Sequence, residues 1–375
     1  MRKLFETVYR YIRESDIFLL ALCVISAVYG IVLISSVERS AVTVQIIALV
    51  MGVAVYILLS LIDIDIIADK SKLLVILSAV LICTLFIWGE AGDTGNKAWL
   101  RFGGIGIQPA EVAKIPFAVV VAHMVTEYKA RRTLNSPLAV LQILAVFGLY
   151  FGLILASSAD LGSSLVYVFI LLCVMFAGGV RLRWFLLGAV ALAASGPFIW
   201  NNLLSERQRA RILAPYDPSI DPTGLNVAWQ ASQSRLAIAS GGFSGQGLYN
   251  GRLTQAGTIP HQQTDFIFSA AGEELGFAGC FIIIALLTAI IVRCAYVGVK
   301  SNNTLGLLVC VGLASMLIFQ TLENIGMCLG LAPVVGLTLP FFSSGGSSII
   351  TAFAAMGIVS GIKMRPKPAR FRTAQ

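Results

Sequence analysis

Residues 260–299 read PHQQTDFIFSAAGEELGFAGCFIIIALLTAIIVRCAYVGV. Six polar or turn-forming residues end at Asp265. From Phe266 onward the run is apolar, with Glu273, Glu274 and Arg293 as its only charged residues. A hydrocarbon core takes about 20 helical residues, so residues 266–299 are long enough to cross it. Asp265 therefore stands where a long polar stretch, residues 201–265, meets an apolar helix. Such a position predicts a water–lipid boundary.

Working outward, the same kind of run recurs along the chain. The sequence is 57% hydrophobic and 12% charged, with a mean hydropathy of +0.86. A soluble protein of this length could not cover that much apolar surface. Candidate span cores fall at 17–36, 41–62, 73–90, 110–128, 137–157, 161–179, 183–200, 266–299, 304–328 and 346–363. In lipid every backbone polar group must be paired within the segment, so these runs should be helices. No period of two argues for a membrane β-barrel. The expected fold class is an all-α polytopic membrane protein of about ten transmembrane helices, one membrane domain over residues 1–375. The N-terminal basic segment precedes a full-length span, which reads as an anchor rather than a cleaved signal.

Lysine and arginine cluster at alternate ends of the spans. Arg2, Lys3, Arg10 and Arg13 share one side with Lys129, Arg131, Arg132, Arg181, Arg183 and the basic tail after Lys363. That predicts cytoplasmic residues 1–16 and 364–375, and a large extracellular loop, 201–265, between helices 7 and 8. The net charge of +8 then reports topology and contact with anionic lipid, with no role for nucleic acid. The seven cysteines lie in or beside apolar runs without a C-x-x-C pair, and read as small buried hydrophobes. With only His123 and His261, a zinc site is not expected.

Three segments break the helical pattern. Residues 92–108 are glycine-rich. The stretch 201–264 carries turn signals at Pro215–Pro218 and Asp221–Gly224, an amphipathic helix over 226–239 suited to the interface, and a glycine-rich connector, 241–248. Residues 330–348 are too apolar for an exposed loop and too rich in Pro and Gly for a helix, which predicts a re-entrant or cavity-lining segment.

Several charged residues at these boundaries are candidates for chemistry. Asp265 could be the N-cap of the helix from Phe266, or a base. The phenylalanines at 266 and 268 would desolvate its carboxylate and raise its pKa toward useful strength. Glu273, Glu274 and Glu323 are intramembrane charges, which usually face the protein interior or a wet cavity. Glu111 and Lys114, at i,i+3, could tie helices together as an ion pair or face a polar substrate. Asp160 could cap the sixth span. Trp99 could be an interfacial anchor, beside Arg101. Arg207, Arg209 and Arg211 alternate in SERQRARIL and could hold phosphate oxygens or lipid headgroups.

Taken in order, several strings carry a resemblance: Lys97-Ala98-Trp99-Leu100, Gln108-Pro109-Ala110-Glu111-Val112-Ala113-Lys114 and Ala159-Asp160-Leu161-Gly162-Ser163. They continue with Ala237-Ile238-Ala239-Ser240-Gly241-Gly242, Thr264-Asp265-Phe266-Ile267-Phe268 and Glu273-Glu274-Leu275-Gly276. They end with Asn324-Ile325-Gly326-Met327 and Leu339-Pro340-Phe341. The set, over nearly the whole chain, resembles the SEDS family of bacterial cell-wall polymerases, which includes RodA, FtsW and SpoVE. Ser343-Ser344-Gly345-Gly346 stands where the family more often has Ser-Tyr-Gly-Gly. Ser158-Ala159 stands for the usual Gln or Glu and Pro before Asp-Leu-Gly.

The resemblance implies a fold similar to the GT-C glycosyltransferases and polymerisation of lipid II on the outer face of the cytoplasmic membrane. It implies Asp265 as catalytic residue, functional positions at Trp99, Glu111, Lys114 and Asp160, and a class B penicillin-binding protein as partner. One carboxylate suffices as base, because a lipid pyrophosphate is already a good leaving group and needs only charge stabilisation. No cofactor follows from a ligand cluster. A divalent cation, Mg or Mn, could be shared by Asp265 and the pyrophosphate. The competing readings are a lipid II flippase and a scaffold of the cell-wall complex.

Overall fold

The structure is a computed structural model that describes residues 11–90, 97–102, 105–221, 223, 226–301 and 303–365; the side chains of Phe102, Ile105, Leu203, Arg207 and Pro218 are also left aside. Among these residues ten helices are long and apolar enough to cross a membrane, at the places the hydropathy predicts. They are α1 Ile17–Val37, α2 Val42–Leu61, α3 Ser71–Cys83, α4 Pro109–Ala130, α5 Pro137–Ser158, α6 Leu161–Gly178, α7 Leu182–Phe198, α8 Ile267–Lys300, α9 Thr304–Cys328 and α10 Gly346–Met364. The spans of α2, α3 and α7 extend to Arg39, Trp88 and Asn202 through short adjoining turns.

The centre of the bundle is α10, α9 and α4, whose residues are mostly buried. Around them the outward faces are apolar, as lipid requires. The helix α7 is the outlier: none of its residues is buried, and contact with the core is made by Trp184 and Phe185 near its start. At one end of the bundle Asp16 caps α1 through Leu19 N, 3.2 Å. The same carboxylate pairs with Arg293 of α8 at 2.8 Å and with Lys363 of α10 at 3.6 Å, locking three helices.

At the other end the connections are folded. Leu100–Phe102 and Ile105–Ile107 pair as an antiparallel hairpin. The connection between α7 and α8 holds short helices at Glu206–Leu213, Trp229–Gly241 and Arg252–Gln255. The expected interfacial helix over 226–239 appears as Trp229–Gly241, but it does not lie free on a membrane surface. Its buried face is Ala231, Ser234, Ala237 and Gly241, small residues that let it press on α8. Leu236, an apolar residue of the same helix, is exposed.

The length of α8 explains the packing there. Its 34 residues at 1.5 Å each exceed a hydrocarbon core of about 30 Å. The helix breaks at Gly276, φ +65°, a left-handed conformation that suits glycine. The glycine-rich connector repairs the break. Gln246 N and Gly247 N donate to the carbonyls of Glu273 and Glu274, each at 2.9 Å, and Phe277 N finds Gly242 O at 2.9 Å. Glu273 itself accepts from Leu253 N, Thr254 N and Thr254 Oγ1 at 2.7–2.8 Å. Glu274 accepts from Ser36 Oγ and Gln255 Nε2. These two intramembrane acids anchor the connection rather than face a cavity.

Candidate active site

The bundle end opposite Asp16 holds a cavity of about 270 Å³. Its wall includes Trp99 just before the hairpin and Arg101 within it, Glu111 of α4, Asp160 before α6, Arg211 of the helix Glu206–Leu213, and Asp265 before α8. Residues distant in sequence thus converge because each stands at the end of an element. The floor is the stretch 334–338, non-helical and half-buried between α9 and α10, with Leu337 buried and Gly336 exposed, in keeping with a cavity-lining segment. A second cavity of about 280 Å³ adjoins the first, sharing Asp160, Arg211, Val334 and Val335 with it and adding Ser205 and Gln208.

Asp265 does not cap α8. The helix begins after Phe266, and no side-chain cap bond is made. Instead the backbone turns at His261, whose carbonyl accepts from the amides of Thr264, Asp265 and Phe266. Phe266 and Phe268 are buried beneath it. Burial pushes the Asp265 carboxyl above the usual range, and Asp160 adds to this; His261 and Thr264 pull it back. Gly336 passes close by: a Cβ there would sit 3.4 Å from Asp265 Oδ2, and its φ of +78° also suits glycine.

Asp160 does cap its helix. Its Oδ1 accepts from Ser163 N at 2.9 Å, and its Oδ2 from Ser163 Oγ at 2.8 Å and Gln108 Nε2 at 2.9 Å. Burial raises its pKa, the bonds from Ser163 lower it, Lys114 lowers it further, and Glu111 raises it.

Glu111 and Lys114 form an ion pair on α4. Lys114 is wholly buried and does not reach the cavity wall; Glu111 does, and its other oxygen meets Gln320 Nε2 of α9 at 3.4 Å. The pair is therefore both a strut and, through Glu111, part of the wall. The Trp99 ring lies over Gly106, where a Cβ would be 3.1 Å from Cε3. Arg101 is exposed at the rim, 4.0 Å from Glu90.

The arginines of SERQRARIL separate. Arg211 lines both cavities. Arg209 turns the other way, donating to Asn201 O at 2.9 Å and Leu204 O at 3.1 Å, so it holds the end of α7 rather than the cavity. The Arg207 side chain lies outside the described residues. No group of three or more metal-binding side chains occurs among the described residues.

Sequence reasoning passed over the bonding of Gln108 to Asp160 and the role of Asn324, whose amide donates to Asp265 O and Leu337 O, each at 2.7 Å. Both lie within the quoted motif strings, which was the available signal. Glu323, beside Asn324, is buried with neither carboxyl oxygen hydrogen-bonded.

Residues 13–367 match the family described as cell cycle protein, the group of FtsW, RodA and SpoVE. Among curated relatives, the peptidoglycan glycosyltransferase MrdB of Escherichia coli K12 is 32% identical over 318 residues, 84% of each chain. The probable peptidoglycan glycosyltransferase FtsW of Bacillus subtilis is 31% identical over 337 residues, 85% of this chain and 80% of its own. Among solved structures, a chain of a peptidoglycan synthase complex that coordinates polymerization and crosslinking superposes with a TM-score of 0.81 at 29% identity, covering 96% of this chain and 99% of that one. The rod shape determining protein RodA of Thermus thermophilus gives 0.68 at 26% identity, over 93% of this chain and 96% of its own. The chain is a multi-pass membrane protein and belongs to the FtsW/RodA/SpoVE family.

Proposed function

We propose that this protein polymerises peptidoglycan by glycosyl transfer between lipid II molecules, with Asp265 as general base. The relatives named peptidoglycan glycosyltransferases support the activity. The observation that carries the assignment of the base is the Asp265 carboxyl on the cavity wall, free of helix capping and raised by burial. In the reaction a sugar hydroxyl of one lipid II attacks the anomeric carbon of the lipid-linked chain. Asp265 takes the hydroxyl proton, the new glycosidic bond forms with inversion, and the anomeric bond to the lipid pyrophosphate breaks. The pyrophosphate leaves with its electron pair, so one carboxylate is enough. Arg211, at the junction of the two cavities, and Arg101 at the rim are the cations placed to take up that charge.

A divalent cation carried with the pyrophosphate would find Asp265 and Asp160 on the wall and would supply further positive charge to the leaving group. The polar groups gather at the helix ends of one face, whereas a transport site is expected near midplane; this favours the polymerase over the flippase. The basic residues at the other face argue that the cavity faces outward from the cytoplasmic membrane, with both termini inside. A class B penicillin-binding protein is the expected partner, in keeping with the synthase-complex neighbour. The test is polymerisation of labelled lipid II by purified protein with such a partner. Wild type should yield glycan strands and Asp265→Asn should not; strands at the wild-type rate from Asp265→Asn would remove the base from the scheme.

A further inference from the structure

Three consecutive carbonyls at the head of α8 are held from outside that helix. Gln263 O accepts from Ser344 N at 2.8 Å. Thr264 O accepts from Ser343 Oγ at 2.5 Å. Asp265 O accepts from Asn324 Nδ2 at 2.7 Å. The same amide nitrogen donates to Leu337 O at 2.7 Å. A side-chain amide has two hydrogens, so each carbonyl has one of its own.

These two carbonyls belong to adjoining parts of the lining, the Asp265 wall and the 334–338 floor. Asp265 O is on the strand of backbone that bears the base. Leu337 follows Gly336, the residue whose backbone passes beside the Asp265 carboxylate. Asn324 is fully buried on α9, a central helix of the bundle, so wall and floor are both referred to one rigid element. Ser343 closes the far end of the segment, since its Oγ also accepts from Leu339 N at 2.8 Å.

We propose that Asn324 is the positioning residue for Asp265, with Ser343 as its second support; this rests on the reading of Asp265 as the base. A general base must lie within hydrogen-bond reach of the proton it removes. No side-chain cap fixes the first turn of α8, so beyond the local turn at His261 the distance between Asp265 and the substrate hydroxyl is set by these outside bonds. Removal of the Asn324 amide takes that donor from Leu337 O, leaves Asp265 O with the long contact from the Cys328 thiol at 3.8 Å, and lets the wall and floor part. A displacement of about 1 Å costs on the order of 10²-fold in rate.

The experiment compares full-length wild type, Asn324→Ala, Ser343→Ala and Asp265→Asn in lipid II polymerisation, with kcat, KM, the pH profile and the melting temperature measured for each. Asn324→Ala should lower kcat by about ten- to a hundredfold. Its KM for lipid II should stay within about twofold, as expected for loss of transition-state rather than uniform binding. The acid limb of its pH profile should shift, because the Asp265 carboxylate leaves its setting. Ser343→Ala should act in the same direction and less strongly. Wild-type kcat and acid limb per folded molecule in both variants would overturn the proposal, as would a loss confined to melting temperature. If Asn324→Ala does not fold, Ser343→Ala decides by the same readouts. An active Asp265→Asn would instead refute the base itself, so the two failures are distinguishable.

Discussion

Asp160 and Asp265 open apolar helices in the same manner of sequence, yet the structure uses them differently. Asp160 spends its carboxylate on Ser163 N, Ser163 Oγ and Gln108 Nε2. Asp265 makes no cap bond, and its backbone is held by Asn324, while its neighbours Ser343 and Ser344 hold the two preceding carbonyls. A carboxylate already accepting donors has its charge stabilised and is a weaker base. Burial raises both carboxyls; Asp160 is pulled back by its capping bonds from Ser163, Asp265 by nearby His261 and by Thr264 rather than by a cap. The helix start that is badly capped is therefore the one suited to chemistry, and the cost of leaving it uncapped is offset by tertiary bonds.

The sharpest way to break this contrast is to delete each carboxylate. Asp265→Ala should reduce lipid II polymerisation by on the order of 10²–10⁴-fold, the usual contribution of general base catalysis, with the fold intact by circular dichroism and melting. Asp160→Ala should lose less activity and more stability.

Next in size is binding. Arg211→Glu should weaken lipid II binding by on the order of tenfold, the loss of about 1.4 kcal/mol expected of one charge-assisted contact. Arg209→Glu should leave binding unchanged, because its guanidinium holds Asn201 and Leu204 carbonyls. Equal effects on lipid II affinity in the two variants would erase the distinction drawn between them.

The pH dependence should follow the Asp265 carboxyl, which burial raises. The base is competent only when ionised, so kcat/KM should climb with pH through a limb displaced above the ordinary carboxylate range. Because His261 pulls that pKa down, His261→Gln should move the limb higher still. For stability the sign is opposite: a raised carboxyl favours the folded state when protonated, and that contribution is lost as pH rises through the folded-state pKa. The smallest expected effect is the cap itself. Asp160→Ala should cost about 1 kcal/mol of stability, the usual value of an N-cap, seen as a lower melting temperature.

The spans were legible because lipid imposes a simple rule on length and polarity, and nothing in the bundle overrides it. The cavity residues Trp99, Glu111, Asp160 and Asp265 were legible as boundary residues within ordered motifs. What no local pattern could tell is which of two aspartates caps its helix, since the answer lies in Asn324 and Ser343, far along the chain. Nor could alternation in SERQRARIL say that Arg209 and Arg211 face apart, because the end of α7 decides it. The helix Trp229–Gly241 misled for a related reason: hydropathy picks out Leu236, whereas close packing on α8 selects small residues.

The most direct measurement is the turnover of labelled lipid II by Asp265→Asn and Asp160→Asn at matched amounts of folded protein. Each substitution keeps shape and removes one charge. The account predicts no strand synthesis from Asp265→Asn and measurable synthesis from Asp160→Asn. Strand synthesis at the wild-type rate by Asp265→Asn would contradict it.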